Sequence, residues 1–212
     1  MDLIRSPQQL QERADAERAK GHRIALVPTM GALHRGHLSL VDMACKHADR
    51  VWVSIFVNPT QFNENSDFES YPRDDARDIA TCRAAGADLV YLPRVEDLYP
   101  EGAQTWVEVT ELATPLCGVA RPGHFRGVST VVSKLLLAAK PHVAVFGEKD
   151  FQQLAVLRRL VRDLGFDVEV LGAPTVREDD GLALSSRNVH LGPVARNQAT
   201  ALVRALDLAE HL

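Results

Sequence analysis

Short apolar runs alternating with helix-like segments predict an α/β chain folded on a doubly wound parallel sheet. Three observations carry that expectation. The strand-like runs, VWVSIFV at Val51–Val57 most clearly, are continuously apolar, as strands buried on both faces require. A helix-like segment separates most of them from the next. Polar clusters stand directly after strand ends: His34 and His37 after the first, Asn58 and Gln61 after the second, Glu148 and Lys149 after the one ending at Phe146. In open parallel sheets ligands bind beyond the carboxyl ends of the strands.

The elements follow in order. The N-terminal stretch MDLIRSPQQLQERADAERAKG is charged and reads as a surface helix. IALVPT (Ile24–Thr29) is a strand stopped by Pro28, and Gly36–Ala48 is a helix. After Val51–Val57, the turn formers of Asn58–Pro72 predict a long loop. A helix over Asp74–Ala85 ends at Gly86, a residue suited to the left-handed C-terminal stop. DLVYLP (Asp88–Pro93) is a short strand. TWVEV (Thr105–Val109) alternates and is expected at an edge or in a side hairpin. RPGHFRG (Arg121–Gly127) reads as a loop before an apolar-periodic helix, Val128–Ala139. HVAVFG (His142–Gly147) and DVEVLG (Asp167–Gly172) are strands around a helix at Phe151–Leu164 that Gly165 closes, and Val194–Leu212 is helical.

With 212 residues, 46% of them hydrophobic, the chain can bury one substantial core. A net charge of −4 argues against a dedicated nucleic-acid or membrane-surface binder. Cys45, Cys82 and Cys117 are odd in number and widely spaced, so neither a disulfide framework nor a zinc ribbon is indicated. The charged N-terminus is no signal peptide, and the longest candidate apolar run, Leu135–Ala139, is far too short to span a bilayer. A cytoplasmic location is the default expectation.

Chemistry concentrates in PTMGALHRGHLSLV (Pro28–Val41). Gly31 and Gly36 permit tight turning, and His34 and His37 flank the start of a helix, whose free N–H groups favour anions. Two imidazoles there can donate to phosphate oxygens as charge builds on them. Spacing alone also admits a surface pair or zinc, although no Cys or Glu stands at ligand spacing. Further along, GLALSSRN (Gly181–Asn188) offers the hydroxyls of Ser185 and Ser186 and the planar donor fork of Arg187. By itself that string is also an ordinary turn.

The H-x-G-H pattern followed later by a hydroxyl-and-basic motif resembles the nucleotidylyltransferase superfamily. VNPTQF (Val57–Phe62), YPR (Tyr71–Arg73), RPGHFRGV (Arg121–Val128), FGEKDFQQL (Phe146–Leu154) and REDDGLALSSRN (Arg177–Asn188) are together similar to the pantothenate synthetase family. The likeness runs over essentially the whole chain, and five strings in family order are highly specific. It implies a Rossmann-like sheet and a two-step reaction. Pantoate attacks the α-phosphorus of ATP to give pantoyl adenylate and pyrophosphate, and the amine of β-alanine then displaces AMP. Mg²⁺ is implied as partial neutraliser of the pyrophosphate, and a homodimer is implied as the assembly, with TWVEV a candidate edge strand.

The resemblance also implies residue roles. Met30, Gly31, Ala32, Leu33, His34, Arg35, Gly36 and His37 form the ATP-binding turn, with His37 an acid or charge stabiliser. Gly147, Glu148, Lys149 and Asp150 contact nucleotide, Lys149 facing phosphate and Asp150 suited to ribose hydroxyls or metal. Val176 contacts adenine through its backbone, and Leu184, Ser185, Ser186 and Arg187 close over the phosphates. Gln61, Gln153 and Asn58 hold pantoate. Asp78 falls where the family has acidic residues near Mg²⁺, though a solvated helix face is the competing expectation. His124 and Arg126 are candidates for bracing a loop, and Gln152 for plain helix surface. Trp52 and Trp106 are expected to pack. Residues 1–188 would form the catalytic domain and 189–212 would lead toward a C-terminal lid that the family carries. Two competing functions are a superfamily adenylyltransferase acting on a phosphorylated precursor, which has no use for Gln61 and Gln153, and a non-catalytic nucleotide-binding module.

Overall fold

In the computed structural model, which describes residues 1–211, the chain runs β1 (Asp2–Ile4), α1 (Pro7–Ala19), β2 (Ile24–Thr29), α2 (Arg35–His47), β3 (Arg50–Ile55), α3 (Asn65–Ser70), α4 (Asp75–Ala84) and β4 (Leu89–Tyr91). It continues through α5 (Val95–Leu98), α6 (Cys117–Ala120), α7 (His124–Ala139), β5 (Val143–Gly147), α8 (Phe151–Leu164), β6 (Glu169–Ala173), α9 (Pro193–Ala199) and α10 (Ala201–Glu210). Leu212, the last residue of the expected C-terminal segment, lies outside the described residues.

One sheet of six strands, every pairing parallel, runs in the order β1-β4-β3-β2-β5-β6. From β2 the chain moves outward through β3 and β4, then returns to lay β5 on the other flank of β2. The order therefore reverses beside β2, and the crevice above the carboxyl ends of β2 and β5 is the topological switch point.

The period-2 pleat sends alternate residues to two cores. Leu26, Trp52 and Tyr91 face α1 and α7, joined by Leu154, Leu157 and Leu160 of α8. Val27, Val53 and Val90 face the other side, where α2 supplies Leu40, Val41 and Ala44. Burial on both faces explains the continuous apolar runs, and Trp52 packs as expected.

Several elements depart from the sequence expectations. Residues 2–4 form an edge strand paired to β4, too short to show a period. The following helix is not wholly at the surface: Leu10, Ala14 and Glu17 are buried. TWVEV forms no strand. The Val107 N–H donates to Thr130 Oγ1 (3.0 Å), and Val107 and Val109 pack on the core as irregular chain. Trp106 stays 46% exposed, stacked between Tyr99 and Arg126, so its packing is a surface arrangement. Helix α7 starts four residues early, at His124, because Gly123 at φ 80° turns the chain directly into it. The Asn58–Pro72 segment contains α3 and a 3-10 turn at Pro59–Gln61. The last helical stretch is broken at Thr200, and α10 leaves Leu202, Leu206 and Leu208 exposed.

Candidate functional site

Strand β2 ends at Thr29, and the chain must then reverse toward the α2 N-terminus within five residues. Gly31 at φ 79° and Ala32 at φ 49° carry it through two left-handed positions. The second is costly for a residue with a Cβ. Three consecutive N–H groups of the turn are met by acceptors. Gly31 donates to Thr29 Oγ1 (3.2 Å), Ala32 to Asp78 Oδ2 (2.7 Å) and Leu33 to Asp78 Oδ1 (2.8 Å). Asp78 is thus neither a solvated helix-face residue nor a free metal ligand: it is 2% exposed, and both oxygens are bonded to the turn.

His34 caps α2. Its Nδ1 accepts from the Gly36 N–H (3.1 Å), and His37 Nδ1 accepts from the His34 N–H (3.3 Å). A ring nitrogen that accepts carries no proton, so in both neutral rings the proton sits on Nε2. Burial first, then the neighbouring His34 and Lys149, pushes His37 down to about 3. Burial and Lys149 likewise lower His34. The pair, with ring centroids 4.1 Å apart, therefore offers neutral Nε2–H donors at the positive end of a helix, not imidazolium acids.

The 176–184 hairpin brings the second motif over this turn. Leu184 N–H donates to the Val176 carbonyl (3.0 Å), Arg177 and Ala183 are bridged, and Gly181 at φ 89° makes the bend. Ser185 caps the 3-10 turn that follows, and Ser186 Oγ donates to the Ala32 carbonyl (3.0 Å). Arg187 is held by Asp67, with Nε and Nη2 donating to its two oxygens at 3.1 and 2.8 Å. Its guanidinium also lies near the rings of Tyr71 and Phe62.

Two chambers open above the switch point. The first gathers Met30, His34, Gly36 and His37 from the turn, Gly147, Lys149 and Asp150 from the end of β5, and Val176 with Leu184–Arg187 from the hairpin. Of the expected nucleotide residues, Gly31, Ala32, Leu33, Arg35 and Glu148 do not line it. The first three form the back of the turn, Arg35 is exposed, and Glu148 turns toward Gly172 of β6.

The second chamber adjoins the first and shares Met30, His37, Asp150 and Gln153 with it. Gln61 and Asn58 sit on one wall; Val128, Val131, Val132 and Leu135 of α7 form another. Asn58 has no side-chain polar atom to spare. Its amide donates to Gln61 Oε1 (3.0 Å) and the Gly127 carbonyl (3.2 Å), while its oxygen accepts from Thr60 and Tyr99. It therefore orients Gln61, whose own Nε2 reaches Met30 Sδ (3.2 Å). His124 Nδ1 donates to the Gln61 carbonyl (2.7 Å) with Arg121 beside it, so His124 braces that loop, while Arg126 lies over Trp106. Gln152 clamps residues 112–117, leaving Gln153 to face the cleft.

Asp67 carries no local pattern in the sequence, and Tyr71 stands only as part of the YPR string, with no role attached. Val128, Val131, Val132 and Leu135, which the sequence marks only as part of an apolar-periodic helix, both join the core and line the second chamber, because a helix face lining a chamber shows the same period as one lining the interior. Among the described residues no group of three or more His, Cys, Asp or Glu side chains is placed to hold a metal, and no helix is long and apolar enough to cross a membrane.

A parallel sheet with a histidine-bearing turn at its switch point is the architecture of the nucleotidylyltransferase-type α/β proteins. Within that class the chain belongs to the pantoate-β-alanine ligase family, whose pattern matches residues 2–211. The pantothenate synthetase of Geotalea daltonii is 56% identical over 207 residues, 98% of this chain and 73% of that protein. That of Geobacter sulfurreducens is 54% identical over 212 residues, all of this chain and 75% of its own length. The crystal structure of pantothenate synthetase from Thermus thermophilus superposes with a TM-score of 0.92 at 52% identity, covering 97% of this chain and 73% of that one. The Francisella tularensis ligase, crystallised with β-γ ATP and β-alanine, gives 0.92 at 39% identity, over 98% and 79% of the two chains.

Proposed function

We propose that this chain condenses pantoate with β-alanine using ATP, through a pantoyl adenylate formed where the two chambers meet. The observation that carries the reading is their junction: His37, Asp150 and Gln153 border both. A carboxylate in the second chamber therefore abuts the α-phosphate of a nucleotide in the first. Pantoate suits that chamber, with its gem-dimethyl group against Val128, Val131 and Val132 and its hydroxyls toward Gln61 and Gln153.

In the first step a pantoate carboxylate oxygen bonds to the α-phosphorus and pyrophosphate leaves with the electron pair. Protein groups need only align the reactants and stabilise the leaving charge. The Nε2–H donors of His34 and His37 and the ammonium of Lys149 serve that charge, with Ser185, Ser186 and Arg187 closing from the hairpin. In the second step the neutral β-alanine amine bonds to the acyl carbon, the acyl C–O bond to AMP breaks as AMP departs, and the amine nitrogen releases a proton to water. Mg²⁺ arrives as MgATP: ions of this kind bind through phosphates and one or two carboxylates. Asp150 is the carboxylate lining the first chamber, whereas both oxygens of Asp78 are engaged.

A cytoplasmic setting is supported by Cys45, Cys82 and Cys117 all being free thiols. We also infer a homodimer from the family resemblance. Sedimentation velocity decides the state. An adenylyltransferase reading is disfavoured because the second chamber is walled by valines and amides, with no cationic side chain for a substrate phosphate. The deciding experiment is ATP–pyrophosphate exchange with pantoate and a panel of other small acids. Exchange that requires pantoate is expected. ATP binding without exchange for any acid, or exchange driven equally by unrelated acids, overturns the assignment.

A further inference from the structure

We propose that Asp78 is a positioning residue for adenylate formation: through the N–H groups of Ala32 and Leu33 it holds the left-handed turn that aims His34 and His37, and through Ala32 it sets the 185–187 motif against that turn. The inference rests on the proposed function.

The carboxylate comes from α4, 46 residues along the chain from Ala32, and is buried at 2% exposure. Its two oxygens take the two consecutive N–H groups at 2.7 and 2.8 Å. That pairing spans the φ 49° position, where an alanine does not stay unaided. The preceding residue must be glycine for the same reason. A Cβ on Gly31 would stand 2.7 Å from Asp78 Oδ2 and 3.2 Å from Ile55 Cγ2. On its other side the Ala32 peptide offers its carbonyl to Ser186 Oγ at 3.0 Å. One peptide unit is thus gripped from both ends, by α4 at its neighbouring N–H groups and by the second motif at its oxygen. Movement of that unit would shift the His34 and His37 donors and the serine–arginine motif together, so the two halves of the phosphate site share one support.

Asp78→Asn tests this, because the amide keeps the size but sets an NH₂ where one backbone N–H needs an acceptor. Losing a charge-assisted pairing corresponds to about a tenfold effect or more. Because the 185–187 motif shifts with the turn, the expected result is a rise of about tenfold in KM for ATP, with pyrophosphate exchange slowed as His34 and His37 lose their aim and KM for β-alanine unchanged. A purely structural role would lower kcat through a smaller folded fraction and leave KM for ATP alone. Ala32→Gly in the Asp78→Asn background relieves the left-handed strain and is expected to recover part of the ATP affinity. If Asp78→Asn keeps wild-type KM for ATP, or loses kcat without any ATP-specific change, the inference is wrong. Absence of pantoate-dependent exchange in the unmodified chain would instead overturn the functional reading on which it rests.

Discussion

Replacing His37 tests how the site handles charge. Its Nδ1 accepts a backbone N–H and its pKa lies near 3, so above about pH 5 the ring is neutral and donates only through Nε2–H. A donor aimed at charge that develops in the transition state contributes about 10²–10³ in rate when removed. His37→Ala is therefore expected to lose about that factor in kcat while retaining most ATP affinity. His37→Gln, whose amide nitrogen can stand near the position of Nε2, should recover about tenfold of the loss. The informative assay is kcat/KM for ATP between pH 5 and 9, which reports the free enzyme. Dividing wild type by His37→Ala cancels the titration of ATP itself. A flat ratio is expected, because the depressed pKa places no His37 titration in that window. A ratio that falls between pH 6 and 8 would mean that an imidazolium does the chemistry, and would refute the neutral-donor account.

Asp67→Asn should release Arg187 and lower KM for ATP by up to about fivefold, the range of a partly exposed pair; a raised KM would mean that Asp67 instead presents Arg187 correctly. Gly127→Ala places a Cβ 2.3 Å from the Thr60 carbonyl, pushing α7 from the turn that carries Gln61. Its steady-state kinetics should show KM for pantoate rising with KM for ATP unmoved, and equal rises in both would sink that expectation. Glu17 is buried among Arg13, Lys20, His22 and Arg50. Hydrogen bonds from His22, then Arg50 and Lys20, lower it from 4.5 to about 2. In full that shift is worth about 3 kcal/mol, and solvent around the half-exposed cations leaves about 1–2 kcal/mol. The folded pKa is the lower one, so this stability is complete above pH 4.5 and is lost as pH falls through 2. Urea titrations at pH 6 and pH 3 should show a smaller pH-dependent loss in Glu17→Gln than in wild type, and equal losses would rule the account out.

Much of this fold was legible because its signals are local. Strands buried on both faces must be apolar throughout, and the helix at Gly36–Ala48 and the stop at Gly165 follow from turn chemistry and period. His34, His37 and Lys149 stood out as candidates because they follow strand ends, where a parallel sheet displays its ligands, whereas Gln153 in α8 and the phosphate role of Ser185–Arg187 were implied only by the family resemblance. Other features depend on partners distant in sequence. Residues 2–4 become a strand only because β4 offers them an edge, whereas TWVEV stays irregular, its Val107 backbone bonded to the Thr130 side chain. The same dependence governs the site. Which peptide Asp78 grips, and that Arg187 rests on Asp67, are set by groups brought together from residues 29–37, 58–78 and 185–187. Composition and spacing determined the sheet and the chemistry available at its rim. Tertiary structure alone decided the charge state and aim of those groups, since a hydrogen bond or a burial term acts through space and leaves no period in the chain.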